Sequence, residues 1–110
     1  MAFENAKFVN VNHSAASTVY TTPGSTTTII LGVIVANKNA AARTVTVTWT
    51  DASDSDASVT MLPAVTVPGN TALEVLAGQK YILKTGDVLK CQASAASSLD
   101  VTVGMLEEAV

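Results

Sequence analysis

The chain has one cysteine and one histidine among its 110 residues, and that scarcity removes most reaction chemistry at the outset. Cys91 has no partner for an internal disulfide, so the fold needs no oxidising compartment. Its setting in V-L-K-C-Q-A, alternating with Leu89 and Ala93, reads as a small buried hydrophobe in preference to a reactive thiol. His13 stands in a polar stretch between Asn12 and Ser14, far in sequence from any acid or thiol that would orient it. A hydrolytic triad needs nucleophile, base and orienter converging in space; no such set can be nominated, and the chain is expected not to be an enzyme.

Aromatics are also few: two Phe, two Tyr and one Trp. The core must therefore be built from small, β-branched contacts around a single large anchor, Trp49. Tyr20 and Tyr81 together with Trp49 would suit a carbohydrate-stacking platform. Trp49, however, falls on the apolar face of the clearest strand, which favours a core role.

The six Lys and Arg residues are scattered, and the net charge is −3. Without a basic stripe to track phosphates, direct binding of nucleic acid is not expected. The longest apolar run, Ile29 to Ala36, is far short of the roughly 20 residues of a membrane helix, so no membrane span is expected. The opening M-A-F-E-N-A-K-F has neither the basic nor the apolar region of a signal peptide.

Ligand motifs are equally sparse. There is no G-x-G-x-x-G and no G-K-[ST]; Gly69, Gly78 and Gly86 sit in turn sequences instead. Asp51, Asp54 and Asp56 invite a calcium reading, but D-x-x-D-x-D lacks the glycine and the distal glutamate of an EF-hand loop. These aspartates are read as a solvated tip, and neither metal nor cofactor is expected.

What is present is strand-period alternation, almost end to end. Thr44 to Thr50 reads T-V-T-V-T-W-T and Leu99 to Met105 reads L-D-V-T-V-G-M, the pattern of strands with one face in a core and one in water. Turn residues divide the remainder: Ala6 to Val11 as a first strand, then Thr18 to Thr21, Thr27 to Asn37 and Arg43 to Thr50, the last two most simply as antiparallel partners. Ser58 to Val67 reads as an edge strand broken at Pro63, which cannot donate to a ladder. Thr71 to Leu76, Lys80 to Leu83, Asp87 to Ser94 and Leu99 to Leu106 complete the set. The expected fold is all-β: a single two-sheet sandwich over residues 1–110, immunoglobulin-like or jelly-roll, with eight or nine short antiparallel strands. Residues 1–17 are either an N-terminal arm or an edge strand.

One strand breaks the rule. Strict alternation over T-I-I-L-G-V-I-V-A puts Ile29, Leu31, Val33 and Val35 on one face and Ile30, Gly32 and Ile34 on the other, so both faces are apolar. Either loops or the N-terminal segment cover the second face, or another subunit does. The residues expected at such an interface are Ile30, Gly32 and Ile34, with Phe3 and Phe8 of the N-terminal segment.

The runs V-Y-T-T-P-G-S-T-T-T-I-I-L-G-V-I-V-A-N (Val19 to Asn37), T-V-T-V-T-W-T-D (Thr44 to Asp51), L-A-G-Q-K-Y-I-L-K-T-G-D-V-L-K-C-Q-A-S (Leu76 to Ser94) and S-S-L-D-V-T-V-G-M-L-E (Ser97 to Glu107) resemble small structural proteins of tailed bacteriophage particles. The resemblance covers most of the chain from Val19 onward and leaves out the first 17 residues. It implies a β-sandwich in the virion that decorates or cements the capsid, or alternatively attaches to the tail or its fibres. Its partners would be the major capsid protein or a tail protein, with self-association into a homo-oligomer, and it carries no catalytic residues. A carbohydrate-binding module is the rival from another class.

Overall fold

A computed structural model describes residues 1–110. Nine strands follow one another: β1 (Ala2–Phe8), β2 (Ser17–Thr21), β3 (Thr26–Asn37), β4 (Arg43–Asp51), β5 (Ala57–Val67), β6 (Ala72–Glu74), β7 (Tyr81–Leu83), β8 (Val88–Ala93) and β9 (Leu99–Ala109). They form two antiparallel sheets, one ordered β1-β9-β3-β6 with β7 also on β3, the other β2-β8-β4-β5. No helix is long and apolar enough to cross a membrane.

The pairing is nested: β1 with β9, β2 with β8, β3 with β6 and β7, and β4 with β5. A long antiparallel ribbon wrapped so that successive pairs fall alternately in two sheets is a jelly roll; here one of its eight strands is split into β6 and β7. The expected pairing of Arg43 to Thr50 with the preceding strand does not occur. β3 and β4 belong to different sheets, because both sides of β3 are already taken by β9 and by the split strand. Asn37 makes the corner between them: it is buried, and its Nδ2 donates to the carbonyls of Ala41 at 2.9 Å and Val67 at 3.0 Å.

The N-terminal segment is an edge strand, not an arm. It begins four residues before the expected start at Ala6 and pairs with β9 from Ala2↔Glu107 to Phe8↔Val101. It ends before Val11, since Asn10 adopts a positive φ of 58°. Val11 then turns in as a buried plug, its N–H donating to the Leu99 carbonyl at 2.8 Å.

Between the sheets lies a core of 16 buried residues, rich in valine, with Leu89, Cys91 and Ala93 together from β8 as their alternation requires. β5 is the edge strand expected from Pro63. Pro63 and Ala64 together stand opposite the single residue Thr46, one residue more than the ladder takes, and the Thr46 hydroxyl accepts the displaced Ala64 N–H at 3.1 Å. Buried Asp87 ties two turns together: Oδ1 accepts from Ala52 N at 3.0 Å and Oδ2 from Lys84 N at 2.9 Å. Tyr20 joins the sheets at the other side. Its hydroxyl donates to Glu107 Oε2 at 2.6 Å and lies 2.7 Å from Thr28 Oγ1.

Candidate functional site

The doubly apolar strand resolves through a bulge. The β3–β9 register shifts between Ile30 and Gly32, and an extra residue exchanges the two faces of a strand. Before the shift Thr28 and Ile30 face the core; after it Val33, Val35 and Asn37 do. Ile30, expected on the outer face, is therefore core at 1% exposure, and the outer face carries Ile29, Leu31 and Ile34. Strict alternation failed because the shift occurs inside a run apolar on both sides.

Glu74 completes this region. β7 covers β3 at Thr28 to Ile30 and β6 covers it at Ile34 to Ala36, leaving a gap in the ladder. Glu74 Oε1 accepts the Val33 N–H there at 2.9 Å, and the Val33 carbonyl accepts from Val75 N at 2.8 Å. A Cβ on Gly32 would lie 3.1 Å from Glu74 Oε1, so glycine makes room for the carboxylate.

Cross-strand partners share a face, and this aligns four apolar residues from four strands. Phe3 lies opposite Leu106, Leu106 opposite Ile29, and Ile29 opposite Ile82. Phe3 is 79% exposed, Ile82 56% and Ile34 44%; Leu31 is also exposed, and Ile29 and Leu106 are half-buried. In the middle Gly32 faces Gly104. Of the residues expected at an interface, Phe3, Gly32 and Ile34 lie on this outer face. Phe8 is half-buried and packs on the core, as its pairing with inward Val101 requires. Ile82 and Leu106, which the sequence reading passed over, belong to the face; their alternation with Leu83 and Met105 was the available signal.

A second surface opens where the sandwich gapes between β5 and the segment from Val75 to Tyr81. This groove of about 360 Å³ is lined chiefly by Trp49, Met61, Leu62, Val75, Leu76 and Tyr81, with Lys80 and Gln79 on its wall. Trp49 points to the core side but is half-buried, because its end of the sandwich is open. It meets Tyr81 edge-on at 5.6 Å. Burial, then the charges of Asp87 and Asp51, push the Tyr81 hydroxyl above its ordinary pKa.

The remaining candidates lie apart. Asp51 Oδ1 caps a short 3-10 turn, accepting from Ser53 N at 3.0 Å, while Asp54 and Asp56 are exposed; no three His, Cys, Asp or Glu side chains group as metal ligands. His13 is exposed beside Asn10, Asn12, Ser14, Ala96 and Ser97. Cys91 is buried, and burial pushes its thiol up to about 12. No protein-family model matches the chain, and no curated protein matches it significantly.

Proposed function

We propose that this chain is a non-enzymatic building block of a tailed-phage virion, a decoration or cement protein that adheres to the capsid lattice. The observation that carries the reading is the apolar row Phe3, Leu106, Ile29 and Ile82 on the outer face of one sheet. Exposed apolar patches with polar surroundings mark contact sites, and a sandwich needs only the inner face of each sheet for its core. The sequence resemblance from Val19 onward and the jelly-roll topology, which viral capsid domains also use, agree with it; topology alone does not define function. Many copies on a repeating surface accumulate occupancy from weak contacts. Immunogold electron microscopy of purified particles with an antibody to this chain tests the proposal. Label over heads is expected; label confined to tails supports the tail-associated alternative, and unlabelled particles overturn both.

Carbohydrate binding remains a second reading because one observation favours it: Trp49 and Tyr81 share an open groove with Gln79 and Lys80. Titration with soluble oligosaccharides, followed by Trp49 fluorescence, separates the two. An invariant emission spectrum removes the second reading.

A further inference from the structure

We infer that the outer face of the β1-β9-β3-β7 sheet is covered by the same face of a second copy of this chain, packed about a two-fold axis that reverses the strand direction. The inference deepens the proposed function by naming the occupant of its contact surface.

Size is the first argument. Strands of 7, 11, 12 and 3 residues, each residue covering about 3.3 Å along the strand and about 4.8 Å across it, give a face of roughly 520 Å². A stable standard interface takes ~800 Å² from each partner, so the face supplies about two-thirds of that area and its rim the remainder, which suits a dimer of modest affinity. The apolar row Phe3, Leu106, Ile29 and Ile82 crosses it, with Asn5, the two glycines and the Glu74 carboxylate in the next row.

Charge is the second argument. Lys7 lies opposite Thr102, which also faces Ile34, so it belongs to the outer face at one end. Glu108 lies opposite Thr27, two residues beyond Leu106, and belongs to the other end. Both are exposed, and neither takes part in the chain's one salt bridge, Lys38 to Asp100. A two-fold axis crossing the strands beside Gly104 exchanges the two ends. Lys7 of each copy then meets the partner's Glu108 one strand over, within a lysine's reach.

The same operation makes the relief complementary. Leu106 comes over the partner's Gly104, where a side chain would meet no atom within 4 Å, so it sits where the facing strand has none. A two-fold axis along the strands would instead set Glu108 against Glu108 and glycine against glycine. Such an isologous contact closes on itself, so assembly stops at the dimer. The dimer then offers its remaining surfaces twice to a repeating lattice.

Sedimentation equilibrium of the full chain tests this. A monomer–dimer equilibrium with a dissociation constant of roughly micromolar order is expected. The variant Ile34→Asp/Ile82→Asp, at two exposed positions, is expected to be monomeric with an unchanged circular dichroism spectrum and a cooperative melt that, unlike the wild type's, does not depend on protein concentration. Lys7→Glu and Glu108→Lys singly should each weaken the dimer by about threefold or more at low salt, and the two swaps combined should restore it. A wild-type chain monomeric at every concentration overturns the inference and leaves the face to a capsid protein or another ligand. A dimer indifferent to Ile34→Asp/Ile82→Asp, or a combined swap no better than either single one, also overturns it. The proposed function fails separately: a dimer absent from particles contradicts only the virion role, and a monomer that labels particles contradicts only the dimer.

Discussion

Gly32 of β3 lies directly opposite Gly104 of β9 in the middle of the outer sheet face, and the two glycines have different surroundings. A side chain at Gly32 would press on the Glu74 carboxylate that fills the ladder gap at Val33, whereas one at Gly104 would meet no atom within 4 Å. One glycine serves the fold. The other leaves the face flat.

The two positions should therefore respond differently to alanine. Gly32→Ala strains the Glu74 hydrogen bond to Val33 and is expected to cost about 1 kcal/mol. Gly104→Ala is expected to be neutral or to stabilise the isolated subunit by up to about 0.5–1 kcal/mol, since glycine is unfavourable in a strand. Urea denaturation measures both; equal losses would contradict the assigned bulge and register.

Alkali should weaken the fold. Burial raises Cys91 from 9.0 to about 12, and burial together with the Glu107 hydrogen bond raises Tyr20 from 10.0 to about 12. Both groups hold their protons more tightly when folded, so their contribution is complete below the unfolded pKa values. It is lost as pH rises from about 9 towards 12. Denaturation midpoints should be level through neutrality and fall above pH 9, and Cys91→Ala should remove the earlier part of the fall. A midpoint independent of pH up to 11 would contradict the burial of Cys91.

Tyr20 and Glu107 fasten the two sheets, and Tyr20→Phe removes the hydroxyl that both Glu107 and Thr28 use. A loss of about 1–2 kcal/mol is expected, because partly buried partners are left without their hydrogen bond. The variant should keep the wild-type circular dichroism spectrum. An unchanged melting temperature would show the bridge to be without effect.

Trp49 lines an open groove instead of closing the core, so Trp49→Ala should cost less than the ~3–5 kcal/mol of a fully buried aromatic, about 2–3 kcal/mol. Acrylamide should quench native Trp49 fluorescence measurably, though less than after denaturation. Complete protection in the native protein would show the groove to be closed.

Strand positions were legible in the sequence because alternation is local. Thr44 to Thr50 and Leu99 to Met105 fall where their pattern puts them. Partnerships were not, because nearly every pair joins distant segments: β1 reaches β9 and β2 reaches β8, and side-chain period carries no information about which strand lies alongside. The same limit hid the bulge after Ile30. With isoleucine, leucine and valine on both sides of the shift, either phase fits the pattern, and only the pairing with Leu106, Gly104 and Val103 decides it. Phe3 lay outside the resemblance altogether, yet its pairing opposite Leu106 starts the apolar row. Trp49 was assigned to the correct face, but its half-exposure depends on the open end of the sandwich, which no single strand encodes.

The central claim is that the outer face works by being covered in an assembled particle. Its most direct test is assembly in a host where Ile34→Asp/Ile82→Asp replaces the wild-type chain, with copies per purified particle counted by quantitative mass spectrometry. The account predicts a variant that is soluble and folded but missing from the particles. Incorporation at the wild-type copy number would contradict it.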